Sequence, residues 1–283
     1  MSNISFLGCG KMGSNMIKSL ASAGQTLTIW NRSSEKSHSL SGENVTPLDS
    51  LEDALKASPI IMISVLGYEP ACELLENHGS ILENKIVLQL SNGKPKDAKK
   101  LNELVVSFGG KYIDGAVGGY PSQVASQDLQ ILYSGNQEAF NKIKPLLEIF
   151  GNAIFISENP SSASTLVNAS LFAAIPMLVG LCQGVKFCET EKFPVEVYEE
   201  FIKKALPAVV NDTLVKAKDK NFSSDTKRVQ ATLTQVVLEA RQFVEMCNEI
   251  GTDPGMFKAL ENLWAKGVAD GLGNYDWTYS AEI

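Results

Sequence analysis

Cysteine is present in a form that builds no framework. The five residues Cys9, Cys72, Cys182, Cys188 and Cys247 are an odd number, and no two stand at C-x-x-C spacing. That argues against a disulfide scaffold and a zinc ribbon, and a reducing, cytoplasmic setting is the expectation. Positive charge is also in deficit: 25 Lys and Arg against 32 Asp and Glu leave a net charge of −7. A nucleic-acid surface wants a basic face, so nucleic acid is not the expected partner. The opening MSNISFLGCG has no charged segment followed by an apolar one, so no secretory signal is expected. Internal repeats and low-complexity linkers are lacking. The long apolar run at 166–181 is interrupted by Asn168 and Pro176 and is short for a bilayer. It reads as a buried helix, not a membrane anchor.

What is there alternates. NISFLG, TLTIW, PIIMISV, KIVLQL, KYIDGA, LQILYSG and NAIFIS read as strands. Helical patterns lie between them, at KMGSNMIKSLASAG (closed by Gly24), at SLEDALKAS (with Ser50 and Asp53 as a capping box), and near 68–77, 95–107 and 137–149. This order predicts an α/β domain with a doubly wound, mostly parallel sheet. After Ser157 the strands stop. A long apolar helix at about 161–188 is followed by amphipathic helices at 194–219, 224–251 and 255–271. A helix apolar all round needs partners on every side, and a second subunit is expected to supply some.

GCGKMG, Gly8 to Gly13, matches G-x-G-x-x-G directly after a strand and at the start of a helix. In that context Gly8 permits the tight turn, Gly10 the approach of a pyrophosphate, and Gly13 close helix–sheet packing. The helix start, Lys11 and Met12 included, offers free N–H groups to phosphate. After the second strand, where NAD-binding chains commonly place an acid, this chain has Asn31, Arg32, Ser33 and then Lys36. A carboxylate would repel a 2′-phosphate and an arginine fork can clamp one, so NADPH is the expected cofactor. Val65 and Leu66, at the end of PIIMISV, are further expected cofactor contacts. No metal is expected.

These stretches resemble a known group. FLGCGKMGSNMIKSLASAG with LTIWNRSSEK, YIDGAVGGYPSQVASQDLQILYSG and LQLSNGKP are similar to segments of the imine reductases and reductive aminases, within the β-hydroxyacid dehydrogenase superfamily. The resemblance spans essentially the whole chain. It implies an N-terminal Rossmann domain at 1–158, an interdomain helix at 159–188 and an all-α dimerisation and substrate domain at 189–283. It also implies a homodimer whose chains exchange helical domains, with the active site between one chain's Rossmann domain and its partner's helices.

The implied chemistry is NADPH-dependent reduction of C=N bonds in cyclic or preformed imines. Asn168 aligns where related enzymes place a proton donor. Thr165 falls where β-hydroxyacid dehydrogenases carry a lysine, and Pro176 where reductive aminases carry a tyrosine. An amide is no general acid, so Asn168 is expected to orient a substrate nitrogen or a water. Asn92 is the second candidate for contact with ligand or ribose. Asp114, Tyr120 and, from the partner chain, Gln235 are further polar candidates. Phe243, Met246, Met256, Phe257 and Trp264 read as core, with an apolar substrate-pocket wall as the alternative for some of them. The alternatives are a hydroxyacid dehydrogenase-like NADP oxidoreductase and a non-catalytic NADP(H)-binding protein.

Overall fold

A computed structural model describes residues 3–220 and 229–283. The chain divides into two compact units, Met1–Ala174 and Ile175–Ile283.

The first unit is built on strands β1 (Ile4–Leu7), β2 (Leu27–Trp30), β3 (Val45–Pro47), β4 (Ile60–Ile63), β5 (Ile86–Gln89), β6 (Lys111–Val117), β7 (Gln130–Gly135) and β8 (Asn152–Ser157). Their order in the sheet is β3-β2-β1-β4-β5-β6-β7-β8, and every pair is parallel except β6 with β7. The helices of this unit are α1 (Lys11–Ser22), α2 (Ser34–His38), α3 (Leu51–Lys56), α4 (Tyr68–Glu76), α5 (Pro95–Ser107) and α6 (Gln137–Leu147). Helix α7 (Ser162–Thr190) begins here and runs on into the second unit.

The central strands are short, β-branched and buried on both faces, as a covered parallel sheet requires. Alternation sends Phe6, Met62 and Leu88 into one core with Met16, Leu20 and Phe140. It sends Leu7, Ile61, Ile63 and Val87 into the other, with Leu75, Leu101 and Tyr112. Each such fully buried side chain contributes about 1.5–3 kcal/mol. Gly24, at φ +77°, follows the last turn of α1, and the Gln25 N–H bonds back to the Leu20 carbonyl, which ends the helix. The Ser50 hydroxyl caps α3 by accepting the Asp53 N–H at 3.2 Å.

The strand order reverses between β1 and β4. Their C-terminal ends therefore diverge into a crevice, where doubly wound sheets take ligands. Two elements escape the sequence reading, α2 and β3; both are too short to show a period.

The second unit is helical. It holds the rest of α7, then α8 (Val195–Asp219), α9 (Leu233–Glu249) and α10 (Gly255–Gly267), with a wide helical turn at Val268–Leu272 and a 3-10 turn at Trp277–Ala281. The helix expected at 224–251 starts instead at Leu233; residues 224–228 lie outside the described ones. Thr232 adopts extended backbone and caps the helix with Gln235, which excludes residues 229–232. Helices α9 and α10 pack as a hairpin through stacked Phe243 and Phe257, 4.9 Å between centroids, and the Arg241–Glu261 ion pair at 2.7 Å. Asp276, nearly buried, accepts from Lys216 at 3.1 Å and from the Thr278 hydroxyl at 2.7 Å, tying the C-terminal segment to α8.

Candidate active site

The glycine turn joins β1 to α1 at the point where the sheet reverses. Gly8 sits at φ +105°, and a Cβ there would lie 2.2 Å from the Ser64 carbonyl oxygen at the end of β4. A Cβ on Gly13 would lie 2.1 Å from the Gly8 carbonyl. The fold itself demands these two glycines. Gly10 differs: a Cβ there would meet nothing within 4 Å, so the open space beside it is the space a ligand's backbone approach requires. Gly10 is also the N-cap of α1 and offers no capping side chain, and no acid stands in the first turn. The first N–H groups of α1 and its positive dipole end are thus available to an anion.

A cavity of about 460 Å³ opens over this turn. Gly8, Gly10, Lys11, Met12, Gly13, Asn31, Arg32, Ser33, Lys36, Val65 and Leu66 all line it, along with Trp30, Ser64 and Leu74. Trp30, Ser64 and Leu74 extend the set read from sequence. Trp30 needed knowledge of where β2 ends, and Leu74 lies on α4, remote in sequence from any motif.

Asn31 has a structural task within the cavity wall. Its Oδ1 accepts the Cys9 N–H at 2.9 Å and its Nδ2 donates to the Ser33 carbonyl at 3.0 Å. The side chain locks the glycine turn to the loop after β2, leaving Arg32, Ser33 and Lys36 exposed at the cavity rim. Arg32 and Lys36 make no ion pair among the described residues. Beside them the Trp30 indole donates to the Asp49 carbonyl at 3.2 Å and His38 meets the Asp49 carboxylate at 2.8 Å. Burial pushes the Cys9 thiol up to about 11, with Lys36 pulling weakly the other way, so this cysteine stays a neutral packing group.

The loop after β4 is tied to the loop after β5. The Val65 N–H donates to the Ser91 hydroxyl at 3.1 Å, and Gln89 Nε2 donates to the Gly67 carbonyl at 3.3 Å. Leu66, 95% exposed, forms an apolar lip on the cavity. Asn92 follows on the β5 loop, exposed, and does not line that cavity.

Asn168 lies on the first part of α7, partly exposed. Its Nδ2 donates both protons to backbone carbonyls, Gly93 at 2.8 Å and Ser164 at 2.7 Å. Both partners are acceptors only, so the amide nitrogen must face them and Oδ1 must point away. No described residue donates to Oδ1. Thr165 is exposed but its hydroxyl donates to the Ser161 carbonyl at 2.7 Å.

Asp114 is not on a cleft surface: it is fully buried on β6, level with Gln89. Tyr68 and Tyr112 both donate to its Oδ1, at 2.6 and 3.0 Å. Burial raises its carboxyl to about 6 against the pull of those hydrogen bonds. Ser164 approaches and favours the charged form, but its hydroxyl is committed to Ser161 and Oδ2 keeps no well-aligned partner. Tyr120 is exposed beside a short turn. Gln235 Oε1 is engaged in capping α9, accepting the Thr232 N–H at 2.8 Å. In the helical unit a separate apolar cavity of about 170 Å³ is walled by Phe187, Phe243, Met246, Cys247 and Phe257. None of the residues lining it is a cation that could hold phosphate. Trp264 is only partly buried, its indole donating to Ser280 at 2.7 Å.

A strand–glycine turn–helix at the switch point of a doubly wound sheet, with an uncapped helix start and a cationic rim, defines a dinucleotide-binding protein. The chain belongs to the family of the NAD binding domain of 6-phosphogluconate dehydrogenase, whose model matches residues 3–157. Over 163 residues it is 28% identical to an NADPH-dependent reductive aminase of Aspergillus oryzae, a match covering 57% of this chain and 55% of that relative's length. An imine reductase from Myxococcus stipitatus in complex with NADP+ superposes at a TM-score of 0.86, 28% identical and 99% covered in both chains. A reductive aminase from Aspergillus terreus in complex with NADPH and ethyl levulinate, 21% identical, shares the fold at a TM-score of 0.87, covering 100% of this chain and 99% of its own.

Proposed function

We propose that this chain is an NADPH-dependent oxidoreductase that reduces the C=N bond of cyclic or preformed imines, as iminium ions, to amines. The observation that carries the choice of bond is the Asn168 amide, with both N–H groups committed and Oδ1 accepting nothing from the described residues. A free amide oxygen can accept a hydrogen bond from a protonated imine nitrogen. It can give nothing to a carbonyl oxygen, which needs a donor. The likeness to imine reductases supports the same reading.

NADPH, when bound, would supply the hydride for the new C–H bond, and the C=N π pair would pass to nitrogen. An iminium ion arrives already protonated, so the protein need not deliver a proton. The backbone N–H groups of Lys11, Met12 and Gly13 hold the pyrophosphate at the start of α1, in the open space beside Gly10. Arg32, Ser33 and Lys36 take the 2′-phosphate, the arginine through its planar fork. Asn168 Oδ1 fixes the iminium N–H, and Asn92 contacts the ligand or the ribose. Hydroxyacid oxidation needs a general base for the hydroxyl proton. The Thr165 hydroxyl, bonded back into its own helix, is no such base.

We assign residues 1–158 to the cofactor domain, 159–188 to the connecting helix and 189–283 to a helical domain for dimerisation and substrate. The protein is a homodimer in this reading, with α7 and α8 contributing the interface. The test is NADPH oxidation with 1-pyrroline and 3,4-dihydroisoquinoline, alongside NADP+ reduction with 3-hydroxyacids. Turnover of the imines and not the hydroxyacids is expected. Failure across a broad imine panel refutes the assignment. N-methyl-3,4-dihydroisoquinolinium, which has no N–H to offer, should bind more weakly than its parent.

A further inference from the structure

Tyr68 begins α4 immediately after the cofactor loop and is 3% exposed. Its hydroxyl donates to the buried Asp114 carboxylate at 2.6 Å, a short charge-assisted bond that fixes the ring from its far end. The ring itself lies against Gly93: a Cβ at that position would sit 2.3 Å from Tyr68 Cδ2. Only glycine lets the β5 loop rest on this ring. The carbonyl of the same Gly93 accepts from Asn168 Nδ2 at 2.8 Å. A continuous chain of contacts therefore runs from a carboxylate beneath the sheet's end, through a tyrosine ring and one peptide, to the amide that turns its oxygen outward.

We propose that Tyr68 and Asp114 are a positioning pair that holds Gly93, and through it Asn168, so that the amide presents its oxygen and not its nitrogen to the substrate. This rests on the imine-reducing reading for its consequence in turnover, though not for its structural content. An amide is nearly symmetrical in shape, and its orientation is set by its neighbours. If the Gly93 carbonyl swings away, one N–H loses its partner and the amide can turn over. A reversed Asn168 would offer N–H to an iminium nitrogen that has nothing to accept it with. Tyr112 also donates to Asp114, at 3.0 Å, and keeps the carboxylate in place when Tyr68 loses its hydroxyl.

The experiment has two readouts. The first is the exchange of the Asn168 side-chain amide protons by NMR, assigned by their loss in Asn168→Asp. In the parent protein both protons are hydrogen-bonded and exchange slowly. In Tyr68→Phe, which keeps the ring and removes the hydroxyl, their exchange should speed up about tenfold or more. Gly93→Ala, which pushes on the ring from the other side, should do the same. Wild-type exchange in both folded variants overturns the proposal, whatever the activity.

The second readout is turnover. Tyr68→Phe should lower kcat about tenfold while the NADPH Kd changes less than about twofold, because the phosphate cradle is untouched. Added to Asn168→Ala, Tyr68→Phe should cost little more, since it acts through the same amide. Effects that multiply would overturn the coupling. Faster exchange with no turnover of any imine by the parent protein would sink the functional reading and leave the positioning pair standing. Should Tyr68→Phe fail to fold, Gly93→Ala carries both measurements, because its Cβ would lie 2.3 Å from Tyr68 Cδ2 and must displace the loop from the ring that holds it.

Discussion

Replacing Asp114 by asparagine should remove a specific part of the pH dependence of stability. Burial, the dominant influence, raises this carboxyl from 3.8 to about 6, and hydrogen bonds from Tyr68 and Tyr112 offset it only in part. Among the ionisable groups around it, Asp97 on α5 raises Tyr68, and Tyr68 and Cys72 on α4 raise Tyr112 on its own strand. Gln89 and Ser134 are its uncharged neighbours on β5 and β7. The folded protein thus holds a proton at pH values where the unfolded chain has lost it. For a carboxyl raised in this way, stability is greatest below 3.8, falls as pH rises towards about 6 and stays at the lower level above that.

A shift of about two pH units corresponds to about 3 kcal/mol, of which about 2 kcal/mol is lost between roughly pH 4.5 and 7. Urea unfolding of the parent and of Asp114→Asn at one protein concentration isolates the group, because other titrating residues cancel in the difference. The variant should gain about 2 kcal/mol relative to the parent over that range and then level off. A difference flat to within about 0.5 kcal/mol would refute the argument. A difference of the opposite sign would show that the two tyrosine hydrogen bonds outweigh desolvation.

Three further outcomes test the glycine turn, the cationic rim and the core. Gly10→Ala should melt within about 2 °C of the parent yet lose about tenfold or more in NADPH affinity, whereas Gly13→Ala, with its Cβ 2.1 Å from the Gly8 carbonyl, should unfold at lower temperature by calorimetry. Arg32→Ala should weaken NADPH binding about 10- to 100-fold by fluorescence titration and NADH less than about threefold, the difference being the charge-assisted bonds to the 2′-phosphate. Tyr133→Phe removes a buried hydroxyl that has no hydrogen-bond partner among the described residues and should raise unfolding stability by up to about 1 kcal/mol in urea.

The sheet was legible because its strands follow one rule. β4 and β5 are runs of apolar residues bounded by turns, and the glycine turn has a spacing that only one context explains. α5 is found at 95–107, the range its pattern gives, because Pro95 and the amphipathic period mark it. What the pattern could not show are features decided by tertiary contact. The start of α9 depends on Thr232 and Gln235 capping each other, and the buried state of Asp114 depends on α4 closing over β6. Asn31 reads in sequence as a substitute for a ribose-binding acid, and only coordinates reveal that both ends of its amide are taken by backbone. The orientation of Asn168 likewise hangs on Gly93, distant in sequence, and no periodicity encodes it.

Helix α7 makes the sharpest demand on the assembly. By length and composition it could cross a membrane, with a mean hydropathy of 1.9 over its most apolar window and little of that window buried. Phe172, Ile175, Leu178 and Val179 are exposed on it, as are Phe201, Val209, Val210 and Leu214 on α8. A monomer in water rarely bears so many large exposed apolar side chains on two helices, and each one covered is worth about 1.5–3 kcal/mol. A bilayer does not fit α8, whose other positions carry the exposed Glu199–Lys203 and Glu200–Lys204 pairs. The first turns of α7 are held by Ala163 and Val167 packing with Ala116 and by the Ala163 N–H on Ser134. A second copy of the chain, as proposed above, would cover both helices at once. Sedimentation at about 10 μM without detergent should therefore give a dimer, and Phe172→Glu with Phe201→Glu should shift it to monomer, since each places a charge in an apolar contact. A parent protein that stays monomeric, or that is soluble only in detergent, would refute the dimer.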